Sequence, residues 1–375
     1  MQPWQRGIGI LTGIYVTRLL GMFMLFPVFS AYARSLAHAD PATIGIALGA
    51  YGLSQGALQI VFGRLSDRYG RRRLIIIGLL IFALGSLLAA AAVSIEAMIL
   101  ARLVQGLGAV SAVTLAYASD ISPPDKLGRS MAIIGGSIGL AFVLALALAP
   151  ALEAVLGVPG IFRLLALLAL LAAAAALALP ALPPPLARAG GGERFDRGAL
   201  ATGCGAVFLL HFLFTGSFVV LPSLWEQLQL SRSQVIWGIY LASNLLALGA
   251  MRHGKTAPAL LSLGLDYLLF CGGFLLLSLG GGFLLALAAA AVYFVAFYRL
   301  ETGLPHFVSA LATPAIRGRL MGYFTTSQFI GSFVGAGFTG FIWKYFEIKI
   351  VLIILAFIAG LGSLMLFKLG KNHVR

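Results

Sequence analysis

Charge is what this chain lacks. Lys, Arg, Asp and Glu make up only 10% of its 375 residues, and acids are rarer than bases, 12 against 26. A water-soluble domain carries about 25% charged residues. A chain that is 60% hydrophobic, with a mean hydropathy of +1.00, has too little polar surface to fold in water. Cysteine is scarce as well. Cys204 and Cys271 both stand in apolar stretches, which excludes a disulfide scaffold and makes them reduced packing residues. Segments of alternating polarity about 10 residues long, the mark of an outer-membrane barrel, are missing. So are metal-ligand spacings, a nucleophile elbow and a phosphate loop in convincing context; Gly280-Gly281-Gly282 is a short turn between apolar runs. The expectation is a protein that is not an enzyme and needs no metal or cofactor.

What fills the chain instead is apolar runs of about 20 residues, the length that spans a bilayer as a helix. Twelve can be counted, at about 8–33, 43–62, 74–93, 96–118, 129–150, 161–180, 199–221, 234–250, 257–279, 282–311, 318–343 and 348–367. The first is too long for the apolar core of a signal peptide. A Pro- and Gly-rich polar stretch, Ala181 to Gly198, divides the runs six and six. The predicted organisation is an N-terminal six-helix bundle (1–180), a cytoplasmic linker (181–198) and a C-terminal six-helix bundle (199–375). With the N-terminus placed in the cytoplasm, eighteen of the 26 basic residues fall inside and five outside, the remaining three lying within spans. That bias predicts cytoplasmic termini in a bacterial inner membrane. It also explains the net charge of +14 without nucleic acid, because the basic residues sit in short loops rather than on a polar domain. Gly135, Gly139, Gly331, Gly335 and Gly340 stand at or near the small-xxx-small spacing that lets helices approach closely in lipid.

Between the second and third runs stands Gly63-Arg64-Leu65-Ser66-Asp67-Arg68-Tyr69-Gly70-Arg71-Arg72-Arg73. It resembles the signature loop of the major facilitator superfamily. Arg102-Leu103-Val104-Gln105-Gly106 in the fourth run is similar to the family's intramembrane arginine motif. Arg18-Leu19-Leu20-Gly21-Met22-Phe23, the segment Glu301 to Pro305 and Thr325-Thr326-Ser327-Gln328-Phe329 resemble the YajR-type branch of proton-driven drug-efflux proteins. Two departures stand out. The fifth run ends in Ala149-Pro150 where the antiporter motif has Gly-Pro, and the soluble C-terminal domain of some members is not expected after the twelfth run.

The resemblance implies an all-α membrane protein, the two bundles related by a pseudo-two-fold axis, with substrate bound between them near the midplane. It implies a conformational latch made of Gly63, Asp67, Arg68, Gly70, Arg71 and Asp120, Asp67 facing the helix start near Gly318. It also places spans one, four, seven and ten around the cavity. Ionisable residues inside spans cost about 2.5–3.5 kcal/mol each on insertion scales, and Arg18, Arg102, His211, Arg299 and Glu301 fall on those spans. Glu301 is the candidate proton carrier, with Arg18, Arg102, Gln105 and His211 as coupling or cavity residues. Arg299 and Glu301 are two apart, so on a helix they point about 200° apart. Asp266, on the peripheral ninth span, is expected to be a local structural partner. Phe23, Phe26, Phe208, Phe212 and Phe218 could line an aromatic cavity or simply pack. The function expected is proton-coupled efflux of amphipathic small molecules by a monomer in the lipid bilayer. The alternatives are proton-coupled uptake or exchange of a small organic anion, and a non-transporting membrane sensor.

Overall fold

The computed structural model describes residues 3–123, 125–179, 195–230, 233–249, 258–313 and 316–373. Residues 181–194 of the expected linker, with Arg188 and Arg194, lie outside them, as do Arg252 and Lys255. Every regular element among the described residues is helical. In chain order they are α1 (Pro3–Phe23), α2 (Phe29–Ala33), α3 (Pro41–Tyr69), α4 (Arg71–Ala90), α5 (Ile95–Leu107), α6 (Ser111–Ile121), α7 (Leu127–Ala176), α8 (Arg197–Gln227), α9 (Ser233–Gly249), α10 (Leu260–Leu279), α11 (Phe283–Ala310), α12 (Arg317–Trp343) and α13 (Ile348–His373).

Eight stretches among the described residues are long and apolar enough to cross a membrane. One of them, Arg129–Ala176, is 48 residues long, length for two passes at about 1.5 Å per residue. It breaks at Gly157, whose φ of 65° and ψ of 168° are not helical. The helix therefore continues through Pro150, where a span was expected to end. Helices α1, α9 and α12 fall outside the eight. α9 is described over 17 residues, while α1 and α12 are diluted by Arg6, Thr12, Thr17 and Arg18, and by Arg319, Thr325, Thr326, Ser327 and Gln328. A count of twelve passes adds these three and the break in α7, and stays a proposal.

Two expected spans are interrupted. The first is cut between Phe23 and Phe29 by the turn holding Pro27, which has no N–H to continue the ladder. The fourth is cut at Gly108, Ala109 and Val110, between α5 and α6.

The chain divides into two compact units, residues 1–39 with 50–189, and 40–49 with 190–375. This differs from a clean division at the linker, because Asp40 to Gly49 group with the second unit. The reason lies in the contact of α3 with α12. A Cβ on Gly45 would stand 2.1 Å from the Ala336 carbonyl oxygen, and one on Gly340 would stand 2.3 Å from that of Pro41. The backbones meet without side chains between them.

The same contact ends in an ion pair. Asp40 caps α3, accepting from the Thr43 N–H at 2.8 Å while its own N–H donates to Thr43 Oγ1 at 2.9 Å. Lys344 Nζ donates to its other oxygen at 2.8 Å. The hydrogen bond from Lys344, then that from Thr43, pull the Asp40 carboxyl down to about 2. A depressed carboxylate stabilises the fold fully above its ordinary value and loses that contribution only as pH falls towards 2. The pair is therefore charged throughout pH 5–8. The thermal-stability difference between wild type and Asp40→Asn is expected to be the same at pH 5 and pH 8 in detergent. A difference that changes between those two pH values would contradict the assignment.

Candidate functional site

The candidate residues fall in buried polar clusters, one in each unit. In the second unit it is built from α8, α11 and α12. His211, on α8, is buried at 5% exposure. Its Nδ1 lies 3.2 Å from the Val207 carbonyl one turn back. Its Nε2 lies 2.8 Å from Nε2 of Gln328 on α12 and 3.5 Å from Oε2 of Glu301 on α11.

These contacts restrict where protons sit. A carbonyl can only accept, so Nδ1 carries a hydrogen. Nε2 then either accepts from the Gln328 amide, as an uncharged ring, or carries a second hydrogen and donates to Glu301. The uncharged ring holds a lone pair at Nε2, which a deprotonated Glu301 would face with its own. The His211–Glu301 contact therefore favours one proton between the two side chains, on the carboxyl or on the ring. Glu301 is the more accessible partner, its side chain 30% exposed against 6% for His211. Phe214 and Phe297 flank the imidazole at 6.4 and 6.3 Å between ring centres.

Arg299 takes the opposite direction from Glu301, as two positions on a helix require. Its Nε donates to Asp266 Oδ1 on α10 at 2.7 Å. Asp266 is buried at 2% exposure, so this intramembrane charge is held by a guanidinium.

In the first unit, Arg18 on α1 and Arg102 on α5 are buried at 2% and 1% exposure. Arg18 Nη2 donates to Gln55 Oε1 on α3, and Gln55 Nε2 donates to Ser111 Oγ, at the start of α6, at 3.2 Å. Arg102 Nη1 donates to Gln105 Oε1 one turn on, and Gln105 Nε2 donates to Ser86 Oγ on α4 at 2.7 Å. Both guanidiniums stand against the Tyr51 ring, at 5.6 and 4.9 Å from its centre, and Arg18 also against Phe82 at 4.7 Å.

The signature loop closes on itself within the first unit. Gly70 caps α4 with φ at 92°, in the region where side chains are strained and glycine is not. Arg71 Nη1 reaches Asp67 Oδ1 at 2.9 Å and Ser66 Oγ at 2.9 Å, and Arg71 Nε pairs with Asp120 at the end of α6. Arg68 lies over the Tyr69 ring at 5.4 Å. Gly63 has open space where a Cβ would stand.

The structure divides the candidate residues into three groups: Glu301 with His211 in the second unit, Arg18 and Arg102 with Gln105 in the first, and the loop with Asp120; the sequence alone puts the first two together as one set of coupling or cavity residues. The sequence reading missed the roles of Gln328, Gln55, Tyr51, Ser86 and Ser111. Tyr51 and Gln55 are one turn apart on α3, and that polar stripe inside an apolar run was the available signal. The aromatics Phe23, Phe208, Phe212 and Phe218 pack against Phe142, one another, Phe338 and Tyr240 respectively. Among the described residues no group of three His, Cys, Asp or Glu side chains is placed to hold a metal.

Comparison with known proteins supplies the family. The family model of the Major Facilitator Superfamily matches residues 11–304. The inner membrane transport protein YajR of Escherichia coli is 32% identical over 366 residues, covering 92% of this chain and 80% of that one. Multidrug resistance protein 2 of Bacillus subtilis is 30% identical over 138 residues, 36% of this chain and 34% of that one. Among solved structures, a bacterial homologue of the human lysosomal transporter Spinster superposes with a TM-score of 0.79 at 14% identity, covering 99% of this chain and 98% of that one. The chain belongs to the major facilitator superfamily: it is a multi-pass membrane transporter and not an enzyme.

Proposed function

We propose that this protein couples proton movement to the export of amphipathic small molecules by alternating access, as a monomer in the bacterial inner membrane. The observation that carries the reading is the His211–Glu301 contact, a one-proton site inside a span, held by Gln328 and the Val207 carbonyl. A carboxyl that shares a proton with an imidazole in one conformation, and meets water in another, binds and releases that proton as the protein switches. The membrane potential adds about 2.3 kcal/mol per charge per 100 mV to such a step. The partial similarity to a multidrug resistance protein supports the export direction. The Arg71 pairs with Asp67 and Asp120 support a loop that acts as a charge-held latch.

The test is substrate-dependent proton flux. Purified protein in liposomes with an internal pH dye is given a proton gradient and a panel of amphipathic cations and anions. Protons moving opposite to at least one compound support the reading. Compound-driven flux in the same direction as the protons would replace export by uptake. Substrate movement indifferent to the gradient would overturn coupling altogether.

A further inference from the structure

The two units treat buried charge differently. In the second, Asp266 and Arg299 neutralise each other at 2.7 Å. In the first, Arg18 and Arg102 are both buried, and no carboxylate pairs with either among the described residues. Arg18 Nε, Arg18 Nη1 and Arg102 Nε have no hydrogen-bond acceptor. Burying a charge costs several kcal/mol unless it is paired and hydrogen-bonded. Two cations sharing one Tyr51 ring repel each other besides. Ring faces and two carboxamides offset part of that cost but supply no negative charge.

The unpaired edge of Arg18 has a definite address. Its Nη1 would stand 3.3 Å from a Cβ on Gly108, in the break between α5 and α6, a point that also lies 2.2 Å from the Gly78 carbonyl oxygen of α4. Beyond the break, the first turn of α6 begins at Ser111, and a helix of 11 residues presents N–H groups and the positive end of its dipole there. Gln55 bridges the two, its oxygen on Arg18 and its nitrogen on Ser111. A buried guanidinium with two unpartnered nitrogens, a second guanidinium on the same Tyr51 ring and a helix start joined to the first through Gln55 are the parts of an anion site.

We infer that the first unit binds the carboxylate headgroup of an organic anion at Arg18, Arg102 and the break in the fourth span. This deepens the transport reading and rests on it, by naming the class of substrate: an amphipathic molecule whose charged end is negative. The planar fork of Arg18 suits a carboxylate, which takes two parallel N–H bonds. The anion also contributes to the cycle. A state with two uncompensated buried cations is high in energy, and a ligand that compensates them favours whichever conformation admits it.

The test is binding, and it needs neither a gradient nor transport. Purified protein in detergent is titrated with benzoate, salicylate and 1-naphthoate, with benzyltrimethylammonium as the cation of similar size and with chloride, and affinity is read by calorimetry. At least one carboxylate is expected to bind, the cation is not, and Arg18→Gln is expected to weaken carboxylate binding about tenfold or more. Arg18→Lys should recover only part, since it restores charge without the fork. The melting temperature of the unliganded protein is the second readout. Arg18→Gln should hold or raise it, because it removes a buried charge with no counterion, whereas loss of a merely structural arginine would lower it. Binding by none of the carboxylates, binding unchanged in Arg18→Gln, or chloride as the only anion bound would each overturn the assignment. If carboxylates bind but no proton flux follows, the subsite stands and proton coupling fails. If proton flux is driven by cations alone, the reverse holds.

Discussion

Glu301→Gln is expected to cut substrate-driven proton flux by about 100-fold or more while leaving the folded protein and its substrate binding in place. The amide has the size of the carboxyl and still donates towards His211 Nε2, at the position Glu301 Oε2 holds at 3.5 Å. It therefore imitates the proton-loaded side chain and favours His211 as the uncharged ring. What it cannot do is release a proton. A carrier frozen in its loaded form can still exchange substrate for substrate across the membrane, but it can no longer exchange substrate for protons. The measurement pairs the two: a pH dye inside liposomes, and counterflow of a fluorescent substrate with no gradient. Loss of the first with survival of the second fits the carrier role. Proton flux within twofold of wild type would move that role elsewhere. Loss of both, in a protein with a normal melting temperature, would mean that Glu301 holds the conformation rather than the proton. His211→Gln is expected to have a smaller effect, because Glu301 keeps its access to water and loses only the partner that shares its proton.

Much of this arrangement was legible in the residues. Composition and run length alone require a polytopic helical membrane protein. The loop from Gly63 to Arg73 is specific enough to name the family, and the pairing of Arg71 with Asp120 could be anticipated from it. The opposite directions of Arg299 and Glu301 follow from two positions on one helix. Other features depend on distances that a sequence does not carry. The His211 contact joins residues from three helices far apart in the chain, and Gln328 sits in a Thr-Thr-Ser-Gln run where nothing marks one polar residue above its neighbours. The break at Gly108 lies in an apolar stretch that reads as continuous helix, whereas a span read as ending at Pro150 continues as helix through it. Small residues show the same limit. A Cβ on Gly331, Gly335 or Gly340 would stand 2.1–2.3 Å from a backbone oxygen, whereas Gly135 and Gly139 have nothing within 4 Å of a Cβ. The spacing is alike in the two sets. Only the neighbouring helix, present in one case and absent in the other, distinguishes them.

That difference leads to the second large effect, Gly331→Val. A Cβ at Gly331 would stand 2.2 Å from the Phe208 carbonyl oxygen, and one at Gly335 would stand 2.1 Å from that of Phe212. These are backbone atoms of α8, which cannot turn aside as a side chain can, so α12 must move away. Overpacking of this kind costs about 1–3 kcal/mol, and a branched side chain against main chain belongs at the upper end. The damage is also functional. His211 lies between Phe208 and Phe212 on α8, and Gln328 lies one turn before Gly331 on α12, so the glycine seam sets the 2.8 Å contact between them. Separating the helices removes the group that holds Nε2 when the imidazole is uncharged, and leaves Glu301 to hold its proton alone. Gly331→Val is therefore expected to lower the melting temperature in detergent and to lower proton flux in whatever protein stays folded. Gly322→Ala, on the same helix with nothing within 4 Å of its Cβ, is the control. It should leave flux unchanged and stabilise slightly, by up to about 1 kcal/mol, because alanine favours helix over glycine. Equal effects from the two substitutions would show that α12 is sensitive to any added side chain, and that the seam with α8 has no special part in holding the proton site.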